Sequence, residues 1–155
     1  MLTVNEKAPT DVKVLNMSED EVTLKDYLDK DYLVVYFYPK DNTPGCTKEA
    51  CSFRDFNKDI EQLGARVIGV SKDPVKSHHK FIQKFELNFE LLSDESLELH
   101  KAFGVWVEKS MYGKKYMGAQ RSTFVLDKNG KVIHVWENVK PNVHAEEVYN
   151  FLKDK

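Results

Sequence analysis

Tyr32-Leu33-Val34-Val35-Tyr36-Phe37 leads almost directly into Pro39-Lys40-Asp41-Asn42-Thr43-Pro44-Gly45-Cys46-Thr47-Lys48-Glu49-Ala50-Cys51, a strand-to-helix passage around which the rest of the chain is arranged. The first run is apolar and β-rich throughout, as a strand covered on both faces is. Thr43 suits a helix N-cap and Pro44 the first helical position, so Cys46 falls near the third. There, free amide hydrogens and the positive end of the helix dipole favour a thiolate over a thiol. Both cysteines of the chain lie in this passage. On a helix Cys51 is half a turn out of phase with Cys46, and their α-carbons stand roughly 8–9 Å apart. A disulfide needs less than about 7 Å. If the two sulfurs bond during a reaction cycle, the helix start must unwind, which suggests a redox thiol with a mobile partner.

Outward from that passage, the helix opened by Pro44 carries Phe53, Phe56, Ile60 and Leu63 on its apolar side and stops at Gly64. Arg66–Ser71 reads as a second buried strand. Asp73 and Pro74 then open a helix with Val75, His78, Ile82 and Phe85 facing inward. A short helical stretch with Leu97, Ala102 and Phe103 closes at Gly104, and an irregular segment runs to about residue 120. Ser122–Leu126 and Lys131–Trp136 flank Asp127-Lys128-Asn129-Gly130, a strong hairpin signal. A last helix after Pro141 turns Ala145, Val148, Tyr149 and Leu152 to one side. The first half is a βαβ pattern with parallel strands, and the second half adds an antiparallel pair. That is the plan of an α/β thioredoxin-like fold with an N-terminal extension (1–30) and an insertion (86–120) before the C-terminal hairpin. Cys46 then lies beyond the carboxyl end of a central strand, where open α/β sheets place their sites.

The 155 residues suit a single domain, 1–155. A hydrophobic fraction of 41%, a charged fraction of 31% and a net charge of −2 describe a soluble globular protein with no call on nucleic acid or an anionic membrane. No apolar stretch approaches a membrane span, and the N-terminus lacks a signal pattern. A cytoplasmic location follows as the expectation, and a lasting structural disulfide is disfavoured there. Two cysteines in one motif point to catalysis or sensing.

Ionisation alone does not make a fast thiol. An unperturbed thiol is about 3% thiolate at neutral pH, and lowering its pKa to near 6 takes about 3.4 kcal/mol. A helix dipole offers roughly 0.3–1 kcal/mol. A cation is therefore needed, together with groups that stabilise an oxygen leaving in the transition state. Thr43, one turn before Cys46, offers a hydroxyl. Arg121 is the best candidate cation; it stands just before the hairpin strand and ends a segment (Lys109, Lys114, Lys115, Arg121) free of acids.

Pro39-x-x-x-Thr43-x-x-Cys46 resembles the peroxiredoxin active-site signature. Thr43–Cys51, Gly104-Val105-Trp106, Met111-Tyr112-Gly113-Lys114 and Arg121-Ser122-Thr123-Phe124 resemble its bacterioferritin-comigratory-protein, or peroxiredoxin Q, subfamily over nearly the whole chain. The resemblance implies a thiol-dependent peroxidase acting on hydrogen peroxide and organic hydroperoxides without a bound cofactor. It implies Cys46 as the peroxidatic nucleophile and Cys51 as the resolving thiol of the same chain. Thr43 and Arg121 would hold the thiolate and polarise the peroxide, and Pro39 would shield the pocket backbone. A thioredoxin-type dithiol protein would reduce the resulting disulfide, and the protein would be a monomer or weak homodimer.

Other readings are weaker. Two cysteines five apart do not match zinc spacing, and His78 reads as a packed core residue, with His100, His134 and His144 scattered. A dithiol–disulfide reductase lacks its C-x-x-C pair, and Arg121-Ser122 stands where thioredoxins place a cis-proline. A redox sensor or chaperone fits as an added role. Glu49 either tunes the site or faces solvent. The basic stretch 109–121 reads as a solvated loop first and as a docking surface for an acidic reductase second, with Trp106 and Tyr112 as packing residues.

Overall fold

A computed structural model describes residues 1–155. Two short strands, β1 (Val14–Leu15) and β2 (Glu21–Val22), precede a 3-10 turn at Leu24–Tyr27. The middle of the chain forms β3 (Tyr32–Phe37), α1 (Pro44–Gln62), β4 (Ala65–Ser71), α2 (Val75–Phe85), β5 (Glu90–Ser93) and α3 (Glu98–Phe103). The last third forms β6 (Trp106–Met111), β7 (Lys114–Ala119), β8 (Ser122–Asp127), β9 (Val132–Trp136) and α4 (His144–Lys153). Seven strands make one sheet in the order β2-β1-β5-β4-β3-β8-β9, and β6 pairs only with β7. β3, β4 and β5 are parallel, while β8 runs antiparallel to β3 and β9 to β8. This is the thioredoxin-like α/β arrangement that the strand and helix pattern predicts.

The central strand explains why its run is apolar on both sides. Leu33, Val35 and Phe37 enter one core with Leu99, Phe103 and Phe124, roofed by α3 and the N-terminal segment. Val34, Tyr36 and Tyr38 enter the other, with Phe53 and Ile60 of α1, Phe81 of α2 and Val148 of α4. Each fully buried side chain of this size contributes roughly 1.5–3 kcal/mol through removal of apolar surface from water. The N-terminal extension is therefore part of the wall: Ala8, Val14 and Leu24 are buried. No helix is long and apolar enough to cross a membrane.

Several local expectations need correction. The segment after Gly104 is not irregular: β6 and β7 form a regular hairpin paired from Trp106↔Ala119 to Met111↔Lys114. Its turn uses positive φ at both Tyr112 (53°) and Gly113 (78°), the two-residue geometry that matches strand twist. A tyrosine in the first of those places concealed the turn. β5 was also not legible, because four residues give too short a period. In α2 the fully buried positions are Val75, His78 and Phe81, with Ile82 and Phe85 only half-buried. On α1 Phe53 and Ile60 are buried, but so are Glu49 and Asn57, which the apolar pattern does not announce. Ala102 faces solvent.

Candidate active site

Cys46 occupies the third position of α1, after Pro44 and Gly45, and is 2% exposed. Position and burial both follow from the preceding strand. β3 ends at Phe37, and the chain then bends through Pro39–Asn42 to bring the helix start back over Tyr36 and Tyr38. Arg121 arrives from the far end of the sequence. The β3–β8 register pairs Phe37 with Ser122, so the residue before Ser122 stands at the carboxyl end of β3, beside the first turn of α1. There Arg121 Nη2 donates to Cys46 Sγ at 3.3 Å. Residue 45 must be small for this approach, since a Cβ on Gly45 would lie 3.2 Å from Nη2 and 3.6 Å from Pro141 Cγ.

The second arm of the guanidinium is used as well. Arg121 Nη1 donates to Glu49 Oε1 at 2.7 Å, and Glu49 is completely buried one turn beyond Cys46. Of its two alternative readings, the structure selects the inward one. Spacing already allowed it, because residues three apart share a helix face. Burial outweighs the attraction of Arg121 and raises the Glu49 carboxyl to about 7. Its Oε2 and the Tyr36 hydroxyl behind it have no protein hydrogen-bond partner. The Tyr36 hydroxyl is held well above its ordinary range by burial first, then by Glu49 and Cys46.

Thr43 does occupy the N-cap position, with extended φ −97° and ψ 157°, but its side chain makes no cap. Its hydroxyl donates to the Lys40 carbonyl at 3.0 Å, and it makes no hydrogen bond to the sulfur. The capping expectation fails because the loop carbonyl lies nearer the hydroxyl than the helix amides do. Pro39 is half-buried in the bend after β3. Cys51 is half-buried on α1, free, and without a hydrogen bond. The structure thus joins Cys46 to Arg121, sets Thr43 at the helix start and Pro39 in the bend before it, and leaves Cys51 free two turns into the helix.

Sequence reasoning missed the network that anchors the loop. Asp41 is buried, and its carboxylate accepts from Tyr38 Oη at 2.5 Å and Ser77 Oγ at 2.8 Å, and pairs with His78 Nδ1 at 2.7 Å. His78 Nε2 faces the Leu92 carbonyl at 3.0 Å, so both ring nitrogens meet acceptors. The Asp41 amide donates to Asp73 Oδ2 at 2.8 Å, and Ser71 Oγ donates to the same oxygen. His78 is a core residue, as expected, but one with polar work. His144, read as scattered, is buried against Thr123 Oγ1 at 2.7 Å, and burial lowers it to about 4 despite Glu147.

A buried cysteine at a helix start, gripped by an arginine that stands just before a neighbouring strand, defines a thiol-based redox enzyme on a thioredoxin-like sheet. Comparison with known proteins narrows the class. The AhpC/TSA family matches residues 4–135. Peroxiredoxin Bcp of Bacillus subtilis is 47% identical over 151 residues, covering 97% of this chain and 95% of that protein. Among solved structures, peroxiredoxin Q of Xanthomonas campestris superposes with a TM-score of 0.89 at 41% identity, covering 97% of this chain and 96% of the other. PrxQ of Xylella fastidiosa gives 0.92 at 39% identity, covering 99% and 97%. The chain belongs to the AhpC/TSA family, and within it to the peroxiredoxins of the Bcp and peroxiredoxin Q type. It is a thiol-dependent peroxidase.

Proposed function

We propose that the chain, acting as one domain over 1–155, reduces hydrogen peroxide and organic hydroperoxides through Cys46 and resolves the product within the same chain through Cys51. Alkyl peroxide reduction is ascribed to the Xanthomonas campestris bacterioferritin comigratory protein, 40% identical over 99% of this chain. The observation that carries the reading is the 3.3 Å contact between Arg121 Nη2 and Cys46 Sγ at the first turn of α1. A guanidinium and free helix amides there stabilise negative charge on sulfur before attack and on oxygen during it.

In the first step Cys46 thiolate attacks the terminal oxygen of the peroxide. The S–O bond forms as the O–O bond breaks, and the departing oxygen takes a proton to leave as water or an alcohol. Arg121 faces the developing oxyanion. Because the Thr43 hydroxyl proton is engaged by Lys40, its lone pairs are left to accept from the peroxide O–H. Pro39 keeps water from the backbone of the bend. In the second step Cys51 sulfur displaces water from the Cys46 sulfenic acid, forming the disulfide, and the first turns of α1 unwind to let the sulfurs meet. A thioredoxin-type dithiol then exchanges with that disulfide, becoming oxidised as Cys46 and Cys51 return to thiols. Both cysteines of the chain falling in one motif suits the cytoplasm as the setting. A monomer or weak homodimer suffices, because nucleophile, resolver and arginine all come from one chain, and nothing in the scheme calls for nucleic acid, a membrane or a bound cofactor.

Two variants test the cycle. Cys46→Ser should abolish peroxide turnover; retained peroxidase activity overturns the assignment. Cys51→Ser should keep the first peroxide turnover and lose the intramolecular disulfide, read by mass spectrometry of the unreduced protein. A disulfide between chains in the oxidised, unaltered protein would remove Cys51 from the resolving role.

A further inference from the structure

The β6–β7 hairpin stands apart from the main sheet and has two unlike faces. Its register sets Val107, Lys109 and Met111 of β6 with Lys114, Tyr116 and Gly118 of β7 on one side. A Cβ on Gly118 would lie 3.3 Å from Lys109 Cδ and 3.4 Å from Tyr116 Cε2, which fixes these residues to a common face. The other face carries Glu108, Ser110, Lys115 and Met117, and there Lys115 Nζ lies 3.6 Å from Glu108 Oε1. On the first face Met111 is 56% exposed and Tyr116 44%, with two lysines and no acid, in a chain whose net charge is −2. Exposed apolar side chains bordered by charge of one sign mark a contact surface.

This face also belongs to the hairpin that leads into the arginine holding the reacting sulfur. β7 passes through Gln120 into Arg121, and Lys109, midway along β6 opposite Tyr116, is half-buried. Burial and the Arg121 charge lower the Lys109 ammonium from its ordinary range, while Cys46 opposes them, so the three groups share one field. Any protein that reduces a Cys46–Cys51 disulfide must bring a sulfur to it and cover what borders it.

We propose that the Lys109–Met111–Lys114–Tyr116 face of the hairpin is the docking surface for the reductant, a dithiol protein whose reactive sulfur is bordered by apolar residues and rimmed by acids. The inference rests on the proposed cycle and adds the surface that recruits its last reactant. On docking, a partner thiolate attacks one sulfur of the disulfide and the other leaves and takes a proton. The partner's second thiol then displaces the first chain, leaving the partner oxidised and both cysteines here reduced.

The test is steady-state peroxide reduction driven by thioredoxin, thioredoxin reductase and NADPH. Lys114→Glu should raise the KM for thioredoxin about fivefold or more, since reversing a charge in a complementary rim opposes encounter. Added salt should raise the KM of the unaltered protein in the same direction. Lys115→Glu, on the opposite face, should stay within about twofold, as an exposed charge outside the contact does. Turnover driven by dithiothreitol should be equal in all three. An unchanged KM in Lys114→Glu, or equal shifts in both variants, overturns the docking surface. So does a homodimer in sedimentation that Lys114→Glu dissociates, because the face then belongs to a second copy. Failure of dithiothreitol to support turnover in the unaltered protein would instead remove the peroxidase cycle itself.

Discussion

Asp41 and Cys46 are neighbours in sequence yet are held in opposite ways. Asp41 is tied by its carboxylate to Tyr38, Ser77 and His78 and by its amide to Asp73, so α2 and the end of β4 both grip it. Cys46 has a single side-chain hydrogen bond, from Arg121, and Cys51 has none. In the proposed cycle two sulfurs must meet across a helix, and the contrast then assigns the opening to the start of α1, while the bend before it stays fixed by buried polar contacts that are costly to break singly. Arg121, standing just before β8, is in that scheme the latch on the start of α1, holding both Cys46 and Glu49.

Arg121→Ala should show the largest effect, because it removes the one side-chain hydrogen bond on the sulfur. Oxidation of Cys46 by peroxide, followed by stopped-flow fluorescence of Trp106 or Trp136, should slow by about 10²–10³-fold, the cost of losing a preorganised donor. Arg121→Lys should recover only part of this, since a lysine cannot hold Glu49 and Cys46 with a rigid fork. A loss below about tenfold would mean that the latch is not what speeds the reaction. Asp41→Asn tests the other side of the contrast. It replaces one accepting oxygen with an amide NH2 that faces donors, and should lower stability in denaturant unfolding by about 1–3 kcal/mol. An Asp41→Asn protein as stable as its parent would mean that the bend is not pinned there.

Hydrogen exchange reads the contrast directly. Amides of the first two turns of α1 should open at lower free energy than those of β3, and equal protection would move the hinge elsewhere. Glu49→Gln should give the smallest change and the most specific one. Folding raises the Glu49 carboxyl from 4.5 to about 7, so its contribution favours the folded state below pH 4.5 and is lost as pH rises to 7. His144 has the opposite sign: lowered from 6.5 to about 4, it withdraws stability as pH falls through that window. Glu49→Gln should therefore leave a stability profile that rises with pH between 4 and 7, and should remove an inflection near 7 from the rate of Cys46 oxidation. Profiles identical to the parent's would place Glu49 outside the titration of the site.

Much of this was readable in advance because it is local. The apolar run of β3, the Thr-Pro start of α1 and the Asp127–Gly130 turn each declare themselves within a few residues, and they suffice for a βαβ half followed by a hairpin. Cys46 could be placed at the third helical position for the same reason. The β6–β7 hairpin could not, because its turn uses a tyrosine where asparagine or glycine is the usual signal. Nor could the Asp41–His78 pair, whose members come from a loop and from a helix thirty-seven residues on. A buried polar network leaves no period in the sequence. Glu49 was an intermediate case: its spacing from Cys46 was visible, and its direction was not.

From the residues alone came the central strand, the helix start that carries Cys46 and the need for a cation beside that thiol, since propensity, capping and the ionisation of a thiol act over short stretches of chain. How Arg121, the candidate cation of the sequence, reaches the sulfur, which hydroxyl caps nothing and turns to Lys40 instead, and which way Glu49 points all depend on strand register and burial. Those are set by contacts between segments far apart in sequence, and the pairing of Phe37 with Ser122 is the one that delivers Arg121 to Cys46.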